Sequence, residues 1–155
     1  MDRDLTGDAL AAGLAGAVLA GLPSTTWSLA RGDDVLEGAR AAGALLLRGE
    51  RRTPVLLAAA VPVHLALSLG WAVILAAVLP HHAEPAWGTV AGLGIAALDL
   101  AVIGRRIPAI RALPQGRQWA DHVAYGFAVG VALRRRRAAR SFLAPAVSGV
   151  RCRSL

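Results

Sequence analysis

Lysine is missing from this 155-residue chain, so all 17 cationic side chains are arginine, and cysteine occurs once, as Cys152. One thiol excludes an internal disulfide and any cysteine-based metal framework. Its setting, CRSL, has the outline of a prenylation box, but Arg153 and Ser154 stand where aliphatic residues belong. Aromatic residues make up only 5% of the chain, too few for the stacking surface of a nucleic-acid module. The formal charge of +7 sits instead between and after apolar runs, where membrane proteins keep their cations, so no nucleic-acid partner is expected. Neither a G-x-S-x-G elbow nor a C-x-x-C-H haem site occurs; the sequence points away from an enzyme, and no cofactor or metal is expected. The N-terminal MDRDLTGDAL is acidic where a cleavable signal would be basic, so the first apolar run is expected to be retained as a helix.

What the chain has in abundance is apolar surface: 55% of its residues are hydrophobic and the mean hydropathy is +0.51. The excess is gathered into runs at 9–30, 54–80, 86–104 and 118–133. A span of the bilayer core takes about 20 helical residues at about 1.5 Å each. These runs predict an all-α polytopic membrane protein, a bundle of four transmembrane helices forming one domain over residues 1–137. The lipid bilayer is its first partner, and residues 138–155 are expected to be a flexible, arginine-rich tail. Absence of lysine beside abundant Ala, Gly and Arg suggests a GC-rich bacterial coding sequence, an impression of codon usage without structural weight.

Segment 31–52 follows the first span and defines the loop side of the membrane; the opposite, terminal side receives both chain ends. In that segment Asp33 is a plausible N-cap, and Val35, Leu36, Ala39, Ala42, Leu46 and Leu47 recur at helical spacing. The pattern predicts a short amphipathic interfacial helix between spans 1 and 2, with Glu37 and Arg40 toward the head groups. A second interfacial piece, 105–118, is broken by Pro108 and Pro114. Nine arginines fall on the loop side and eight on the terminal side, so orientation stays open. Arg134 to Arg137 read as a topology anchor, and Trp27, Trp71, Trp87 and Trp119 as interfacial belt residues. His81, His82 and Glu84 crowd a proline-bounded turn, where no metal site is expected.

Inside the membrane, close helix packing relies on small residues. Gly88 and Gly92 of the third run and Gly126 and Gly130 of the fourth have GxxxG spacing. Antiparallel pairing of Gly92 with Gly130 sets Ala96 opposite Gly126 and brings Asp99 level with His122. His64 stands in the second span, one turn from Ser68, which is in place to fix its tautomer; Pro62 frees the carbonyl of Ala58 nearby. Ionisable groups at such depth need partners and tend to mark functional sites. The candidate ligand or proton site is therefore His64, Asp99 and His122, with Ser68, Asp121 and Tyr125 beside them; no catalytic residue is named.

His64, the Trp87, Gly88, Ala91, Gly92 opening of the third span, and a helix starting at His122 and ending in arginines form a layout over roughly residues 55 to 137. It resembles the YagU-type small bacterial inner-membrane proteins, a family of unknown function. The resemblance implies a four-helix inner-membrane protein and carries no catalytic residues. The expected function is binding or translocation of a proton, ion or small polar ligand in the intramembrane pocket. The alternative is an accessory or structural subunit whose GxxxG faces mediate helix association in a homo- or hetero-oligomer.

Overall fold

The computed structural model describes residues 3–148, and side chains over 5–142; Arg151, Cys152 and Arg153 lie outside the described residues. The chain is all-helical, with no strand among the described residues. Helix α1 (Arg3–Leu19) is followed by α2 (Leu22–Arg31), a two-turn α3 (Glu37–Gly43) and the long α4 (Thr53–Val78). Helix α5 (Glu84–Ala96) continues through π-helical turns at Ala97–Ile103 and a 3-10 turn at Gly104–Arg106. A single turn, α6 (Pro108–Arg111), leads to α7 (Gln115–Ser148).

Three helical stretches are long and apolar enough to cross a membrane: Leu5–Arg31, Thr53–Val78 and Glu84–Arg106. The fourth expected span does not qualify, because the apolar part of α7 is short and bounded by Arg117 and Arg134. Helix α7 runs to Ser148. The exterior suits lipid. Val18 is 76% exposed and Leu29 69%, whereas half of the buried hydrophobic positions are alanine, among them Ala12, Ala72 and Ala96, and Asp8, Ser28, Ser68 and Glu84 are buried too. A water-soluble fold would bury its large apolar side chains; here small residues face inward so that helices approach closely.

In cross-section α1 packs against both α4 and α7, and α7 against both α1 and α5. The α5–α7 contact is the tightest. A β-carbon added at Gly126 would lie 2.0 Å from the Gly88 carbonyl oxygen, and one at Gly88 would lie 2.2 Å from the Gly126 oxygen. This corrects the expected register by one turn: Gly130 meets Glu84 and Pro85, and Gly92 meets His122 and Val123, so Gly92 and Gly130 are not partners.

The segment after α2 also departs from expectation. Gly32, at φ 70°, ends α2 in the left-handed conformation. The N-cap of α3 is Leu36 with no side-chain cap, not Asp33. Asp34 accepts the Leu36 N–H at 2.8 Å and pairs with Arg40, so the aspartate nearer the helix organises the turn. Before α4, the Glu50 carboxylate accepts both the Arg51 and Arg52 N–H groups at 2.8 Å and pairs with the Arg52 guanidinium. Arg52, then the backbone donors, hold the Glu50 carboxyl down at about 2.

At the terminal end three arginines of α7 tie the bundle together. Arg136 and Arg140 both pair with buried Asp8 of α1. Arg137 donates to the carbonyls of Ala76 (3.0 Å), Leu79 (3.3 Å) and Pro80 (3.3 Å), and lies 3.5 Å from Glu84. A cation at the C-terminal end of α4 matches its helix dipole and its unpaired carbonyls. Half of the Arg134 to Arg137 run is thus engaged inside the fold, beyond any role as an anchor.

Two outcomes are expected. Gly126→Ala should lower stability by about 1–3 kcal/mol, since the methyl meets main chain that cannot yield. Gly94→Ala, whose β-carbon meets nothing within 4 Å, should be neutral or stabilising by up to about 1 kcal/mol; thermal unfolding in detergent compares them. For Glu50, a folded-state pKa below the ordinary carboxylate value means that its contribution is present above about pH 4.5 and fades as pH falls toward 2. The Arg51 and Arg52 amide shifts should therefore titrate with a midpoint near 2; a midpoint at the ordinary carboxylate value refutes the arrangement.

Candidate functional site

The apolar run 9–30 does not form one continuous helix. It breaks at Ala20 and Gly21, where α1 ends and α2 begins. A break in an apolar environment leaves carbonyls at one helix end and N–H groups at the other without intrahelical partners. Both ends are met by side chains from other helices. His64 Nε2–H of α4 donates to the Ala17 carbonyl at 2.8 Å, at the C-terminal, electronegative end of α1. Asp121 Oδ1 of α7 accepts the Ser24 N–H at 2.8 Å, at the electropositive start of α2. Helix α2 has no N-cap side chain of its own, so Asp121 serves as one from across the bundle. The His64 tautomer is consequently set by Ala17, and Ser68 does not take that role.

A second pair lies deeper. His122 Nε2 is 3.6 Å from Asp99 Oδ2, although the glycine register is one turn away from the one that would set them level. Side chains tilt toward the N-terminus of their own helix. In this antiparallel pair Asp99 leans toward the terminal end and His122 toward the loop end, so the two converge. The π-helical turns around Asp99 add to this by changing the phase of the chain beyond Ala96. Trp71 Nε1–H donates to the same Asp99 oxygen at 3.2 Å. Trp71 is therefore a site residue and not a belt residue. The signal was present in the sequence: His64, Ser68 and Trp71 follow i, i+4, i+7 spacing on α4.

The tautomer of His122 has a consequence. Its Nδ1 faces the Gln118 carbonyl at 2.8 Å, and a carbonyl can only accept, so Nδ1 carries hydrogen. A neutral imidazole would then turn the lone pair of Nε2 toward a carboxylate. Nε2 stands 3.6 Å from the Asp99 carboxylate, an ion pair whenever the imidazole is protonated.

All six expected site residues, His64, Ser68, Asp99, Asp121, His122 and Tyr125, line one cavity of about 700 Å³. At its loop end Arg117 Nη1 donates to Ser28 Oγ at 2.7 Å and to Asp33 at 3.1 Å, with Glu37 at 3.5 Å from Nη2. Arg117 joins α7, α2 and α3 and went unrecognised in the sequence, though it stands one turn before Asp121. Toward the terminal end the Tyr125 hydroxyl donates to the Ser68 carbonyl. Beyond it lies an apolar cluster of Leu75, Leu79, Ile95, Val129 and Leu133. The cavity is thus bounded by this apolar cluster on the terminal side.

His81, His82 and Glu84 do not converge: Glu84 faces Arg137, and no group of three potential metal ligands occurs among the described residues. Comparison with protein families, curated proteins and solved structures finds no match to this chain.

Asp121→Ala should lower stability by about 0.5–2 kcal/mol through loss of the α2 cap. Asp121→Asn, which keeps an acceptor oxygen, should recover most of it. Circular dichroism melts in detergent test this, and equal losses for both variants contradict the capping role.

Proposed function

We propose that this chain is a four-span protein of the bacterial inner membrane whose loop-end cavity binds a proton, an ion or a small polar ligand. The fourth span is the 118–133 part of α7. Its Asp121 and His122 are accommodated because other helices supply their partners. A charged group at the bilayer centre costs about 2.5–3.5 kcal/mol on insertion scales. Four titratable side chains on one cavity wall exceed what packing alone explains.

The observation that supports this reading is the His122–Asp99 pair, 3.6 Å apart on the wall of a cavity that His64 and Asp121 also line. Broken helices at membrane depth occur where they line a cavity, and their ends bind charged groups. Here the break is bridged by His64 and Asp121. A cation or proton arriving at Asp121 competes with the α2 N-terminus for the same carboxylate, which couples occupancy to the position of α2. The alternative, an accessory subunit associating through its GxxxG faces, is disfavoured because all four glycines are occupied within the α5–α7 contact.

In proteoliposomes, Asp99→Asn should reduce pH-dependent proton or cation flux, or protonation-linked ligand binding, at least tenfold. The variant should still purify as a folded, monodisperse protein. Unchanged activity in every such assay would falsify the proton-site reading and leave the accessory role.

A further inference from the structure

A second cavity lies on the outside of the bundle, away from the His/Asp site. It is an open groove of about 890 Å³ between α1/α2 and α7. Its floor is small and apolar, with Ala11 and Ala15 facing Ala128 and Ala132. Its rims are Trp27 and Phe127, each 52% exposed. One end is closed by Arg135 and Arg136. Thr26 is the one uncharged polar side chain in its lining, and none of its lining residues also lines the first cavity.

We infer that this groove is a binding site for an anionic membrane phospholipid, with one acyl chain against the alanine floor and the phosphate at Arg135 and its neighbour Arg134. Length supports this occupant. The α7 wall runs from Ala124 to Arg136, about 18 Å at 1.5 Å per residue, and the α1/α2 wall further, from Ala11 to Ala30, so the groove is long enough to hold the roughly 15 Å of an acyl chain in one leaflet. Charge supports it as well. Arg136 and Arg140 are drawn to Asp8, and Arg137 to Glu84; Arg134 and Arg135 are exposed and have no ion-pair partner among the described residues. Two uncompensated guanidinium groups where an apolar groove reaches the interface match a lipid phosphate. A second copy of the chain fits less well, because a two-fold contact along α7 would bring the same arginines of both copies together.

The inference rests on α7 crossing the bilayer. The intact protein is reconstituted into vesicles of phosphatidylcholine containing phosphatidylglycerol, and lipid retention is then read by native mass spectrometry after detergent extraction. Phosphatidylglycerol should be retained over phosphatidylcholine by at least tenfold. The double variant R134Q/R135Q, which removes no internal contact, should abolish that preference, while Arg48→Gln, a single charge removed at the loop end, should not. Filling the floor with Ala132→Leu should lower retention of both lipids; Ala15→Leu replaces it if that variant does not fold. Equal retention of the two lipids, equal loss with Arg48→Gln, or a dimer cross-linked across this face without bound lipid overturns the proposal. Failure to resist carbonate extraction from vesicles overturns the membrane reading too, which separates the two.

Discussion

Helices α5 and α7 come together only because no β-carbon stands between Gly88, Gly92, Gly126 and Gly130. With main chain against main chain, neither helix can slide or rotate without collision, so every group carried beyond the glycines is placed by their contact. On one side of it Asp99 and His122 converge; on the other, Glu84 is set beside Arg137. α1 then lies on the exposed flank of α7, and α4 lies on α1. The cavity is the space left where α4 stands apart from α5, bridged at one point by Trp71 and Asp99.

The break in the first span is the second constraint. Apolar surroundings offer no water to open carbonyls and N–H groups, so a helix can stop at Ala20 only if other groups replace the missing bonds. His64 and Asp121 do this, each at the helix end whose dipole favours the charge it can bear. Structural and titratable roles therefore coincide in the same two side chains.

Charge is distributed with equal economy. At the loop end Arg117 gathers Ser28, Asp33 and Glu37; at the terminal end Arg136, Arg137 and Arg140 bind Asp8, Glu84 and the last carbonyls of α4. Several arginines that look like a simple charge count are thus fasteners between helices. Their long stems reach from the interface to partners deeper in the protein. Only some of the cations, notably Arg134 and Arg135, are left to interact with whatever surrounds the molecule.

Composition and run length determined that the chain is all-helical with apolar stretches long enough to cross a membrane, three of the four expected ones qualifying, because apolar length is a local property. Side-chain type and helical spacing also brought out the six residues that line the cavity and the four glycines at the α5–α7 contact, though not which of those glycines meet. Tertiary structure decided the rest. Register is a one-turn choice between alanine and glycine steps of nearly equal size, and only the main-chain approach at Gly88 and Gly126 selects among them. The break at Gly21 has a local signal in Pro23, which sits in the first turn of α2 and has no N–H with which to continue α1; what no local segment shows is that Asp121, ninety-seven residues from Ser24, satisfies the new helix start. Trp71, Arg117 and the Ala17 carbonyl became parts of the site for the same reason: hydrogen bonds between distant helices follow from packing, and packing is not written in any one segment.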